Sequence, residues 1–337
     1  MSNRLGIYYL VSGMCIFVFQ DIIIKLLSEK VNLFQILFIR SILTITLVLF
    51  FLKISKQTKL LSTSNPIVIT IRSLTFFVGF TLFYYAQSQM PVANALTLFY
   101  VSPFFITILS MFVLGEKINL GHWVIIIFGF SGVYFITNPE FQKFNYINLL
   151  PVLCAMCYGV FMVLTKKYST TESSFSQLFY LSLGSLLASG ILGLIVGDGK
   201  FFSNNNVSMN YMLREWNFTN TGDIVLILIS ALCGCIGCFL LLSAYRIGNP
   251  SRITPFEYSG LIPTMLLGYL IWDDIPSKNT LIGILIIIGC GLYLFYREIF
   301  SRSKTVMKHL LIILSILLIS SPVSNPHLIL HRVRQSK

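Results

Sequence analysis

The chain has 337 residues, of which 55% are hydrophobic and only 11% charged, with a mean hydropathy of +0.81 and a formal net charge of +12. That balance lies far outside the range of soluble globular domains and requires a lipid-embedded chain. The positive charge is dispersed between apolar runs rather than gathered on one soluble face, which excludes nucleic acid as the partner it serves.

Ten apolar runs of about 20 residues, each able to cross a hydrocarbon core of ~30 Å, predict an all-α polytopic membrane protein with ten transmembrane helices. The first, residues 5–27, carries Gln20, Asp21 and Lys25 near its far end and no small-residue cleavage pattern, so it reads as a retained helix rather than a signal peptide. The second, 33–52, contains Arg40, and the third, 67–89, contains Arg72 about one turn from its start. The fourth, 92–114, brings Asn94, Thr97, Tyr100 and Ser102 ahead of Pro103, and is followed by 121–138, 147–165 and 176–197. A polar stretch at 198–221, rich in Asn and Ser, reads as a mobile external loop whose extra length is tolerated, with a gate or lid as the alternative. The eighth run, 222–246, holds Cys233, Cys235 and Cys238 without a histidine or carboxylate beside them, which reads as helix packing rather than a metal site. The ninth, 251–271, carries Pro255, Glu257, Tyr258 and Pro263, and the tenth covers 279–297.

Residues 298–337 form a tail, cytoplasmic or interfacial. Its apolar part, 310–320, is too short to span and is followed by Ser-Ser-Pro and Asn-Pro. From Met307 onward the tail also has the charged start, apolar middle and small-residue end of a signal peptide, as a fused neighbouring reading frame would.

The chain contains itself twice. At an offset of 158, Ala86 falls on Ala244, Leu98 on Phe256, Tyr100 on Tyr258, Leu114 on Trp272 and Glu116 on Asp274. Upstream, at an offset of 142, Met14, Cys15, Val18, Phe19, Lys25 and Gln35 meet Met156, Cys157, Val160, Phe161, Lys167 and Gln177, so the second copy carries an insertion of 16 residues. The copies cover residues 5–138 and 147–297. Five helices per copy is an odd number, which makes the second copy cross in the opposite sense: two inverted five-helix repeats, the plan of secondary transporters that rock about a central site. With the N-terminus inside, thirteen basic residues fall on the cytoplasmic side and six outside, which places both termini in the cytoplasm.

A charged side chain within the membrane costs at least ~2.5–3.5 kcal/mol and calls for a reason. Glu257, behind the helix-breaking Pro255, reads as a carboxylate that binds a cation or takes up a proton during a cycle, against the alternative of a structural pair with Arg252. Asp21 and Lys25, four residues apart, share a helix face and are expected to pair, as a plain intrahelical bridge or as a latch near the outer side. Gln20 offers an amide to a polar substrate or to a neighbour. Arg40 and Arg72 read first as ties between helices; Arg72 is also able to bind a carboxylate or phosphate. Pro103 and Pro263 interrupt their helices, while Pro91 and Pro250 suit helix starts.

With repeat and topology in hand, the chain resembles the drug/metabolite transporter superfamily, and within it the ten-helix EamA-type permeases. The residues that carry the resemblance are Arg40, Arg72, Ala86, Pro91, Ala93, Pro103 and the Leu114-Gly115-Glu116 triplet, then Pro255, Phe256, Glu257 and Tyr258, and Trp272, Asp273, Asp274 and Pro276. Asp273 departs from the glycine usual in the family. The resemblance implies a cavity lined mainly by helices 1, 3, 4, 6, 8 and 9 of the ten, and substrates among amino acids, nucleotide-like metabolites, vitamins such as riboflavin, drugs or S-adenosylmethionine. The chain looks closest to the bacterial branch that includes S-adenosylmethionine carriers. On those helices lie Tyr84, Tyr85, Tyr100, Tyr158, Tyr245 and Tyr258, whose faces suit rings and cations. Tyr100 and Tyr258 are singled out because the repeat relation places them at equivalent depths, facing each other across the cavity.

The function expected is secondary transport of a small polar metabolite across the inner membrane by alternating access. Glu257, Tyr258, Tyr100, Asn94, Tyr84, Arg72 and Gln20 are the candidates for binding, and Glu257, Asp21, Lys25, Pro103 and Pro255 those for coupling or gating. The drive is expected from an ion gradient such as protons, from exchange with a counter-substrate or from downhill flow, since no phosphate-binding loop of the ATPase type is present. The partners are the substrate, the bilayer and, as an option, a second copy in a homodimer; no cofactor or metal is expected. A flippase for lipid-linked intermediates shares the fold. An intramembrane enzyme would need clustered acids or histidines, whereas His122, His309, His327 and His331 lie at a helix edge or in the tail.

Overall fold

The computed structural model describes residues 2–63, 65–117, 120–137, 146–202 and 209–272, with scattered positions from 278 to 293. Most of the tenth run, Asp273, Asp274 and Pro276, and the tail 298–337 lie outside the described residues, as do the side chains of Ala93, Thr97 and His122. The chain divides into a unit Met1–Gly291 and a second, Leu292–Lys337; the architecture below belongs to the first.

Every regular element among the described residues is helical. The long ones are α1 (Ser2–Ser28), α2 (Leu33–Ile54), α3 (Pro66–Gln89), α6 (Leu120–Thr137), α7 (Leu149–Lys167), α8 (Ser174–Val196) and α10 (Thr221–Ile247). The shorter ones are α4 (Val92–Phe99), α5 (Ser102–Leu114), α9 (Asn210–Leu213), α11 (Pro250–Ile253) and α12 (Leu261–Trp272). Six of them, α1, α2, α3, α7, α8 and α10, are long and apolar enough to cross a membrane. The helix starts follow local chemistry. Asn32 caps α2 by accepting from the amides of Phe34 and Gln35, Ser173 caps α8 by accepting from Ser176, and prolines open α3 and α11 where their missing N–H would be idle anyway. Gly115 ends α5 at φ 67°, a left-handed conformation that suits glycine.

The fourth and ninth runs break at matching places. The fourth stops as α4 at Phe99 and restarts as α5 at Ser102, with Pro103 in the new first turn. In the ninth, α11 gives way to a 3₁₀ segment, Thr254–Gly260, before α12 begins. Tyr100 and Tyr258, related by the repeat, sit at the two breaks. Pro103, Pro255 and Pro263 each remove a backbone donor, which is why neither run continues as one α-helix.

Packing crosses between the copies: α1 lies along α10, α3 along α7, and α2 along α8. Under the repeat relation the first two contacts are versions of one another. The α1–α10 seam is backbone-close, since a Cβ at Gly13 would stand 2.6 Å from a methyl of Leu241 and 3.1 Å from the carbonyl of Gly237.

The polar loop departs from the expected mobile insertion over residues 209–220. Asn32 Nδ2 donates to the carbonyls of Met212 and Arg214 at 2.7 and 2.6 Å, and Gln35 exchanges two hydrogen bonds with the backbone of Asn217. The indole of Trp216 lies against α8 where a Cβ on Gly193 would overlap it, and packs tilted at 47° against the ring of Phe38, with centroids 5.3 Å apart. Backbone carbonyls met by buried amides, and a keyed aromatic ring, hold this part of the loop down.

Candidate substrate site

Glu257 is fully buried and held by hydroxyls from three other helices. Its Oε1 accepts from Tyr158 at 2.7 Å and from Tyr245 at 2.5 Å, and its Oε2 accepts from Ser102 at 3.2 Å. These donors come from α7, α10 and α5, so the carboxyl group joins both copies at the break in the ninth run. The pair with Arg252 weighed from the spacing is not what holds it: Arg252 is exposed, and the hydroxyls take its place. Three donors are the compensation a carboxyl group needs once water is removed.

Tyr100 and Tyr258, expected to face each other across the cavity, instead pack directly against one another, edge to face with centroids 5.6 Å apart. Room for this is made by small residues. A Cβ on Gly260 would stand 2.6 Å from the Tyr100 hydroxyl, and one on Gly129 would stand 3.3 Å from the Tyr258 ring. Phe99, the counterpart of Glu257 in the first copy, packs 5.1 Å from the ring of Tyr158, the same tyrosine that donates to Glu257.

A second polar cluster centres on Gln20, which is fully buried in α1. Its Oε1 accepts from Arg40 Nη2 at 2.5 Å, while its Nε2 donates to the Tyr84 hydroxyl at 2.8 Å and to Asp21 Oδ1 at 3.3 Å. The amide therefore stands between a cation and a carboxylate, with its oxygen toward one and its nitrogen toward the other.

Two adjoining hollows lie along the Gln20 cluster and reach the other at Tyr158; Glu257, Tyr100 and Tyr258 are in the wall of neither. One has Arg40, Ser41 and Tyr84 in its wall; the other has Asp21, Phe83, Phe99 and Tyr158; Phe17, Phe76, Phe80 and Cys238 belong to both. The shared wall is mainly aromatic: Phe76 and Phe80 stack at 4.3 Å, and Phe80 lies 6.0 Å from the ring of Tyr84 and 6.3 Å from that of Tyr158.

Other predicted residues sit elsewhere. Arg72 is buried in a closed cluster, pairing with Glu172 at 3.1 Å and donating to Thr165 at 2.6 Å and Gln177 at 3.2 Å, with its guanidinium 4.9 Å from the centroid of Phe161. Thr63 donates to the other oxygen of Glu172. Lys25 does not bridge to Asp21 as its spacing suggested. Its ammonium reaches the carbonyls of Gln87, Ser88 and Met90, at and just past the end of α3, where unpaired carbonyls and the negative end of the helix dipole attract a cation. Asn94 is exposed on α4. Pro103 and Pro255 are buried at the two helix breaks.

A model described as the EamA-like transporter family matches the sequence twice, over residues 4–138 and 145–297. The chain belongs to this family. An EamA-like chain of this composition is a multi-pass inner-membrane transporter of a small metabolite rather than an enzyme. Among its relatives, the S-adenosylmethionine uptake transporter of Rickettsia bellii is 30% identical over 85% of this chain and 92% of its own length, and that of Rickettsia prowazekii is 27% identical over 90% and 98%. The riboflavin transporter of Vibrio cholerae is 26% identical over 65% and 67%. A solved crystal structure with 15% identity matches at a TM-score of 0.63, covering 86% of this chain and 94% of the other, which shows the fold alone.

Within this EamA-like chain, Ser102, Tyr158 and Tyr245 were visible in the sequence as polar residues on the right helices, yet nothing there marked them as partners of Glu257. Arg40 read as a helix tie; its place in the cavity wall and the lack, among the described residues, of a direct acid partner distinguish it from Arg72.

Proposed function

We propose that this chain carries S-adenosylmethionine, or a metabolite of the same type, across the inner membrane by alternating access. The observation that carries the reading is the aromatic interior with Asp21 in its wall. Ring faces at Phe76, Phe80, Phe99 and Tyr158 suit a flat heterocycle, and a carboxylate beside them suits a positive centre in the same molecule. S-adenosylmethionine combines an adenine ring with a sulfonium, and the uptake transporters of Rickettsia named for it match nearly end to end. The repeats 5–138 and 147–297 act as inverted halves with both termini in the cytoplasm. Tyr100 and Tyr258 lie at the hinge points made by Pro103 and Pro255.

Glu257 is the coupling group in this scheme. It can exchange a proton or trade its hydroxyl partners as the halves move, and it is faced by Tyr158 from α7, Tyr245 from α10, Ser102 from α5 and the Tyr100–Tyr258 pair. Counterflow in proteoliposomes tests the reading. Labelled S-adenosylmethionine should exchange unchanged against an internal pool and resist competition by riboflavin. A chemically modified product, or exchange of riboflavin alone, would overturn it.

A further inference from the structure

Arg40 puts a guanidinium into the wall of the cavity with one nitrogen in use. Nη2 donates to Gln20, while Nε and Nη1 are buried and have no partner. No carboxylate stands within ion-pair distance: the pairs among the described residues are Arg72–Glu172 and Lys200–Asp198. Asp21, the acid on the same network, lies beyond the amide of Gln20 and the Tyr84 hydroxyl. A buried cation with idle donors is costly unless an anion arrives to meet it.

The guanidinium is also held in place. A Cβ on Gly234 would overlap Gln20 Oε1 and stand 2.6 Å from Arg40 Nη2, so the pair is pressed against the bare backbone of α10. On another side the ring of Tyr84 lies 6.0 Å from Arg40 Cζ. Such fixing lowers the ordering cost of binding. The complement of a fixed guanidinium is a carboxylate or a phosphate. Asp21 decides between them. A phosphate would set two negative charges near this acid, whereas an amino-acid zwitterion brings a carboxylate for Arg40 and a positive group for Asp21.

We infer that Arg40 receives the carboxylate of the transported molecule while Asp21 faces its positive end, so that the cargo is an amino-acid zwitterion and not merely a cationic ring compound. The inference rests on the carrier reading above and narrows it. Gln20 is then a positioning residue, setting both ends at once.

The test compares S-adenosylmethionine with its decarboxylated analogue, which keeps the sulfonium and the adenosine, by equilibrium binding to the full-length purified protein. The wild type should prefer the carboxylated ligand by about 10- to 100-fold, the range for a hydrogen bond to a charged group. Arg40→Gln should lose that preference by weakening S-adenosylmethionine alone. Equal affinity of the wild type for both ligands overturns the inference, and this arm needs no variant to fold. So does an equal loss for both ligands in Arg40→Gln. Should neither adenosyl compound bind, the proposed cargo is wrong, and Arg40 is judged by the same comparison between free amino acids and their decarboxylated amines. A preference abolished by Arg40→Gln keeps the role; no preference, or no binding, removes it.

Discussion

Two arginines are built into the membrane interior of this chain, and they are settled in opposite ways. Arg72 has an acid, a threonine, an amide and an aromatic face around it, all from the protein, and its carboxylate partner Glu172 is held in turn by Thr63. Arg40 has one amide oxygen and a tyrosine ring nearby; it leaves both Nε and Nη1 without a partner where Arg72 leaves Nε alone, and no acid among the described residues stands within ion-pair distance of it. A buried charge paired directly with its counter-charge in the fold is a structural element, whereas one whose nearest acid stands beyond an intervening amide is set up for something that comes and goes.

The largest effect expected is from Arg72→Ala. It strands Glu172 without its cation and should destabilise the protein by about 3–5 kcal/mol, the cost of breaking a buried pair from one side. Thermal unfolding in detergent measures it, and a stable variant defective only in transport would erase the contrast between the two arginines. Next is Glu257→Gln, which should abolish the pH dependence of uptake while the protein stays folded; an unaltered pH profile would take Glu257 out of the coupling role. Gly234→Ala should cost about 1–3 kcal/mol, since the new methyl group must push Gln20 and Arg40 off the α10 backbone. Its binding of substrate should fall with it, and normal affinity would show that the placement of Arg40 is unimportant. The smallest change in stability is expected from Arg40→Gln, at about 1 kcal/mol for one lost hydrogen bond. A loss as large as that of Arg72→Ala would mean that Arg40 is a tie between helices after all.

Much of the fold could be read directly from the sequence. Of the ten runs read from apolar length, six are membrane-length helices among the described residues; the duplication aligned the two breaks, and Pro103 and Pro255 marked where helices fail. The partners of the charged groups could not be read in the same way. Glu257 meets Tyr158 and Ser102 across 99 and 155 residues, and Arg72 meets Glu172 across 100, distances at which no local spacing rule operates. Where a spacing rule did apply it misled, because Lys25 finds carbonyls at the end of α3 that outbid Asp21. Apparent helix position also did little for Asn94, which lies on the exposed face of α4.

The seating of Trp216 on α8 ties two distant positions into one heritable unit. A side chain at Gly193 would evict the indole, and one at Gly197 would stand 3.1 Å from it, so neither glycine can drift while the tryptophan remains. Once the tryptophan is lost, Gly193 is released, whereas Gly197 stays confined because its Cβ would overlap the backbone carbonyl of Gly193. Across lineages Trp216 and Gly193 should therefore be gained and lost together, and an aligned set of relatives in which Trp216 persists beside bulky residues at 193 would show that they are not bound in this way.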